Sequence, residues 1–440
     1  MVVAPRSMTP SFRARLLGGL PGAGLRRGAP IAGLVAAALV GAASTATAED
    51  DPTPVMRYDW FVVPMLAYNS DNGVGFGARV EVARREPGYQ PFRAAYMAQG
   101  YASLRSYHHH MLRYDRVGLG SDRLRLTVNG VYRQWGNDGY WGIGNATTRE
   151  RQYVGDFDDD DPRGERYKYS LVQPFLHVTL RVGLGSRPAA GTRRPWAIFT
   201  SFNGKWSDVS AHQDSLLAEE QPLGVEGGLD LLVTAGLLYD SRRPEADPQR
   251  GIFAEVSLSG SIPNSSGSAA LFALHGAARA YHALLPWMVV AGRVMVEAMF
   301  GRVPFYEMVH WHGSVPIAGF GGFDAVRGVR FGRWRAPHRA VASVELRLRL
   351  ARITVFRRSL ALQLGLFTDA GIVWGAGEDR GAEAQFPLHV TGGAGLRLVF
   401  AETFVGRFDT GFGNDPIREA SGELSDALSL GIYLTFGQAF

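Results

Sequence analysis

Cysteine is absent from the 440 residues, which removes disulfides, thiolate catalysis and cysteine-ligated zinc. Lysine is nearly absent: Lys168 and Lys205 stand against 44 Arg. Acidic residues are missing from 1–48, where Arg6, Arg13, Arg15, Arg26 and Arg27 supply five of the 46 basic residues. The other 41 match the 41 acids, so the formal charge of +5 belongs to that leader. A general basic surface for nucleic acid is therefore not expected. Past residue 48 no apolar run reaches the roughly 18 residues a helical membrane span requires.

Residues 1–48 carry the pattern of a secretory signal peptide. Arg26-Arg27 form a charged end, Ile31 to Ala43 a short apolar run, and Ala46-Thr47-Ala48 a small-residue cleavage site before Glu49-Asp50. Residues 49–56 follow as a short periplasmic segment. The rest, 57–440, is expected to be one domain.

What the chain has in quantity is period-two alternation. Leu124-Arg125-Leu126-Thr127-Val128-Asn129, Leu176-His177-Val178-Thr179-Leu180-Arg181 and Val344-Glu345-Leu346-Arg347-Leu348-Arg349-Leu350 each alternate apolar and polar residues. So does the end, from Leu428 to Phe436. Successive side chains of a strand face opposite ways, so each segment has one oily and one polar face. A soluble sandwich and a membrane barrel both satisfy that pattern with the faces reversed. Three features favour an all-β, transmembrane antiparallel barrel of about sixteen strands.

The first is the count. Strands are expected near 58–67, 74–84, 92–103, 107–117, 122–135, 165–184, 195–209, 226–240, 251–262, 268–284, 287–302, 340–351, 358–371, 389–400, 404–413 and 427–440, an even number of suitable length. The second is loop asymmetry. The long gaps 136–164, 210–225, 303–339, 372–388 and 414–426 all fall on the side opposite the termini, as outer loops would. The third is the end of the chain, an amphipathic strand closed by Phe440, which with Phe436 resembles the signal by which such barrels are recognised for assembly. Trp60, Trp196, Trp287 and Trp374 fall at strand ends, where an aromatic girdle sits.

Few residues suggest chemistry. His108-His109-His110 alternate in direction along a strand, and His310 and His312 share a face without a third ligand, so no metal site and no cofactor are expected. Asp158 to Asp161 belong to an outer loop, where a solvated acidic stretch is the plain reading and cation gathering near lipopolysaccharide the sharper one. Gly73-Val74-Gly75-Phe76-Gly77 lacks the βαβ context of a dinucleotide loop, and there is no G-x-S-x-G elbow. An enzyme is not expected.

Four segments of the second half resemble the BamA/TamA family, the bacterial surface antigen family. They are Tyr239-Asp240-Ser241-Arg242-Arg243-Pro244 with Pro248-Gln249-Arg250-Gly251, Gly321 to Val329 around Val326-Arg327-Gly328, Phe367-Thr368-Asp369-Ala370-Gly371, and the last strand from Leu430 to Phe440. The resemblance covers roughly 226–440. Val329 stands where the family usually has an aromatic residue. The resemblance implies that the long sixth outer loop turns into the lumen and that Arg327, followed by Gly328, pairs there with Glu345 and Asp369. Strand parity separately puts both acids on the polar face.

The family's assembly proteins carry periplasmic docking modules ahead of the barrel, and here the first strand is expected within about ten residues of the cleavage site. Two functions follow. One is an assembly barrel that aids insertion or passage of proteins or lipids at the outer membrane through a seam between the first and last strands, the last weakened by Gly431 and Gly437. Its partners would be outer-membrane lipids and lipopolysaccharide, unfolded outer-membrane protein or lipid clients, and a separate periplasmic partner. The other is a passive pore or surface antigen, in which lumen residues Arg125, Arg181, Arg347, Arg349, Arg397 and Arg407 favour anions.

Overall fold

The computed structural model describes residues 56–69, 72–89, 91–153, 162–186, 194–315, 317–355, 358–376, 388–400, 404–436 and 438–440. The signal-peptide segment 1–48 and the acidic stretch Asp158–Asp161 lie outside them.

Sixteen long strands make one sheet among the described residues. They are β1 (Arg57–Asn69), β2 (Gly73–Arg85), β3 (Ala94–Ser103), β4 (Tyr107–Val117), β5 (Leu124–Gly139), β6 (Lys168–Gly183), β7 (Trp196–Ala211) and β8 (Gly228–Asp240). Then come β9 (Gly251–Ser261), β10 (Ala270–Leu285), β11 (Met288–Arg302), β12 (His338–Val355), β13 (Arg358–Trp374), β14 (His389–Phe400), β15 (Phe404–Arg418) and β16 (Leu424–Phe436). Each runs antiparallel to its sequence neighbour.

Burial decides between sandwich and barrel. On β9, Val256 and Leu258 are 60% and 49% exposed, while Glu255, Ser257 and Ser259 between and beside them are buried. On β12, Val344 is exposed and Ser343, Glu345 and Arg347 are buried. Charged groups inside and oily groups outside is the reverse of a soluble protein, and it is what a bilayer selects. Trp60, Trp196 and Trp287 stand outward at one rim, and Trp374 packs beside His338 at the other.

The ladder is uneven around the ring. β1 and β16 share one pair, Asn69↔Tyr433. Every other neighbouring pair shares at least the seven of β3 with β4, and β12 with β13 runs from His338↔Trp374 to Val355↔Arg358. The sheet is not closed by a continuous ladder.

Two strand ends differ from the sequence-based expectation. β15 extends to Arg418 rather than 413, because Asp415 turns inward to accept from Arg333 (2.6 Å) and to pair with Arg149 (3.0 Å). The last strand stops at Phe436 rather than 440. Phe440 is buried against Tyr281 and Ala291 of the wall instead of facing outward. Arg347 donates to the Phe440 carbonyl (3.0 Å) and Arg293 to that of Ala439 (3.1 Å), so wall arginines draw the end of the chain into the lumen. Phe436 remains the strand's last residue.

Candidate functional site

The loop between β11 and β12, residues 303–337, fills part of the lumen. Its Trp311, Phe320, Ala325, Val326, Val329 and Trp334 are almost fully buried and pack on Ala277, Met295, Val341 and Val373 of the wall. Those four wall positions are small or apolar among polar inner neighbours, so the loop brings its own core and seats it against them on β10–β13.

Arg327 lies at the centre. Its Nε donates to Asp369 Oδ2 (2.8 Å) and its Nη2 to Asp369 Oδ1 (3.1 Å), a two-pronged grip, while its backbone N also donates to Asp369 Oδ2 (3.0 Å). Its Nη1 donates to Glu345 Oε2 (2.8 Å) and Asp409 Oδ2 (3.3 Å). The guanidinium carbon sits 3.5 Å from the centre of the Phe367 ring. A planar, always-charged fork suits three acids and a ring face together, which an ammonium does not.

Sequence reasoning reached Arg327, Glu345 and Asp369, and the structure brings these three together. It missed the outer layer. Arg397 bridges Glu345 (3.1 Å) and Asp409 (3.0 Å), Arg347 binds Glu345 (2.9 Å), and Arg407 lies between Asp409 (3.5 Å) and Asp324 (3.6 Å). Four guanidiniums and four carboxylates thus balance within one network, buried except at the part-exposed Asp324. Alternation of Arg407 and Asp409 on β15 was the available signal.

Gly328 and Gly411 let two backbones touch. Gly328 has φ +117°, and a Cβ there would lie 2.7 Å from Phe412 N. A Cβ on Gly411 would lie 2.6 Å from the Arg327 carbonyl oxygen. Such approaches exclude any side chain unless backbone moves. Beside them Val326 holds φ +51°, costly for a β-branched residue and fixed by the grip on Arg327.

A second set of contacts holds the loop to β9–β11. Glu297 accepts from His312 N (2.6 Å) and pairs with His312 Nδ1 (3.1 Å), and it also binds Arg339. Glu307 pairs with His312 Nε2 (3.3 Å) and Lys205 Nζ (2.5 Å). Glu255 accepts from Ser314, and His275 bridges Glu255 and Glu297 at 3.3 Å each. Burial opposes charge on His312, but Glu297 and Glu307 outweigh it and raise its pKa above the ordinary value. His310, two residues earlier, goes the other way: burial, then Lys205 and Arg133, push its pKa down. Arg133 can only donate, so the 2.6 Å contact makes His310 Nε2 the acceptor, and Nδ1–H donates to Tyr306 O (2.8 Å).

The remaining histidines do not converge. His109 faces the lumen beside Gln99 (3.0 Å), whereas His110 stacks on Tyr132, which is exposed outside. Among the described residues no group of three or more His, Asp or Glu is placed to hold a metal ion.

An incompletely laddered sixteen-strand barrel, oily outside and plugged by one of its own outer loops, is an integral membrane protein of the outer-membrane type. A family model described as the Omp85 superfamily domain matches residues 199–440, and the chain belongs to that superfamily. All four motif segments fall inside the match. The structure resembles BamA from Haemophilus ducreyi lacking POTRA domains 1–3, with 13% identity over 87% of this chain and 70% of that one and a TM-score of 0.54. It also resembles CdiB from Escherichia coli, with 8% identity over 86% of this chain and 62% of that one and a TM-score of 0.51. At these identities the likeness is one of fold. No curated protein sequence matches.

Proposed function

We propose that this barrel aids insertion or passage of proteins or lipids at the outer membrane by opening between β1 and β16. The observation that carries the reading is the seam: one pair, Asn69↔Tyr433, joins those strands where other neighbours share seven or more. A net backbone hydrogen bond contributes about 1 kcal/mol, so parting this seam costs far less than parting any other. Assembly and translocation are the general work of Omp85 barrels, which supports the same reading. The exposed apolar band meets outer-membrane lipids and lipopolysaccharide, unfolded outer-membrane proteins or lipids are the clients, and a separate periplasmic partner delivers them. Residues 1–48 act as a cleaved export signal. No step requires a cofactor or an enzymatic group.

A passive pore or surface antigen is the alternative. A pore needs an open lumen, and burial of Trp311, Phe320 and Trp334 there speaks for the first reading. The test places the purified chain in liposomes and times the folding of a small client barrel into them. Acceleration over empty liposomes, lost on Arg327→Ala, is expected. A correctly folded wild type that gives no acceleration would turn the assignment to the pore.

A further inference from the structure

The lumen arginines are not alike. Arg347, Arg397 and Arg407 belong to the balanced network around Arg327. Arg125 is held by Asp115 (2.8 Å) and Glu245 (3.5 Å), and Arg349 donates to Pro286 O (3.1 Å) and Gln249 Oε1 (2.9 Å). Arg181 on β6 and Arg279 on β10 have no hydrogen bond or ion pair among the described residues, and the Nε of each is buried without a partner. Arg279 rests on the Phe253 ring (5.2 Å), which Arg242 covers from 4.8 Å. Arg181 stands opposite Arg125 in the β5–β6 ladder.

Both open onto a lumen cavity of about 820 Å³ beside the loop plug. Twelve Arg and Lys side chains and five acidic ones line it. Each of the five acids is already engaged: Asp138 by Tyr169, Glu245 by Arg125, Glu255 by His275 and Ser314, Glu307 by Lys205 and His312, and Asp324 by Arg407. Glu245 and Glu255 lie near Arg181, and Glu255 and Asp324 near Arg279, but among the described residues none of them forms an ion pair with either arginine. A guanidinium stays charged in any protein, and burying its N–H groups without a hydrogen-bonded partner is costly. The cationic excess of the lining favours an anion, and the guanidinium fork an oxyanion.

We propose that this cavity is a binding site for a small soluble solute carrying several oxyanion groups, such as linked phosphates, held by Arg181 and Arg279. Its volume is that of an ordinary small-molecule site. The two arginines lie inside the wall, so the ligand enters from water rather than from the lipid face. The site stands whether or not the seam opens.

The test titrates the full chain, folded in neutral detergent, with tripolyphosphate at fixed ionic strength, following heat. Saturable binding is expected, weakened at least about tenfold by Arg181→Gln or Arg279→Gln and lost in the double variant. Arg418→Gln, at the opposite rim, should bind as wild type. A wild type without saturable heat, or a double variant that binds equally well, overturns the proposal. Should the variants not fold, the wild type suffices. Tripolyphosphate should then shield Arg181 and Arg279, but not Arg418, from phenylglyoxal as read by mass spectrometry, and equal labelling would overturn the site.

Discussion

Tyr433 of the last strand holds the tip of the lumen loop at Gly328: the Gly328 backbone N donates to the Tyr433 hydroxyl at 3.3 Å, and that hydroxyl donates to Val329 O at 3.2 Å. The same Tyr433 is the residue of β16 that pairs with β1 at Asn69. The loop grip and the seam therefore meet at one residue. Tyr433→Phe leaves a buried N–H without its acceptor, which costs about 1–3 kcal/mol. The expected result is a lower denaturant midpoint and faster protease cutting within 303–337, with the strand content of the barrel kept.

Arg327→Ala strips one cation from a network of buried carboxylates, a loss of about 3–5 kcal/mol. Arg327→Lys should recover little, because an ammonium cannot make the paired contacts to Asp369 together with those to Glu345. In a double-mutant cycle with Asp369→Asn, the two losses should fall well short of additive, as residues in direct contact do. Additive losses would mean the contact carries no coupling.

Gly411→Ala tests the backbone approach without touching a charge. Its Cβ would press on the Arg327 carbonyl, so the loop must lift, and the loss should approach that of Arg327→Ala. Gly260→Ala and Gly276→Ala, where a Cβ meets nothing within 4 Å, should change stability little. Thermal unfolding of the three variants in one detergent makes the comparison.

The contact of His312 with Glu297 and Glu307 sets a direction for pH. The His312 pKa is raised in the folded loop, so its stabilisation is full below the ordinary histidine value of about 6.5 and fades as pH rises through the raised one. Protease cutting within 303–337 should accelerate with that rise, measured against a control substrate. His312→Gln should flatten the profile.

Much of the barrel was legible because its signals are local. Alternation such as Val344 to Leu350 gives a strand and its inner face, and loop lengths give the side on which each connection lies. Glu345 and Asp369 could be placed on the inner face by counting alone. Asp409, Arg397, Gly411 and Tyr433 could not be assigned to Arg327, because which inward residues meet depends on register between strands and on where the loop descends. The inward turn of Phe440 was hidden for the same reason. Its position keeps the phase of Leu434 and Phe436, and only the placement of Arg347 and Arg293 across the lumen draws the chain end inside. Arg181 and Arg279 lie on alternating strands like their paired neighbours, so only the structure around them reveals that neither forms an ion pair among the described residues.

The seam is tested most directly by closing it. The chain has no cysteine, so Ala67→Cys with Thr435→Cys, one step along from Asn69 and Tyr433 on the inner face, gives a single disulfide. Folding of a client barrel into liposomes is then timed with and without reductant. The account predicts that the oxidised protein loses the acceleration and that reductant restores it. Equal acceleration by the oxidised and reduced forms, with the disulfide verified by mass spectrometry, would contradict it.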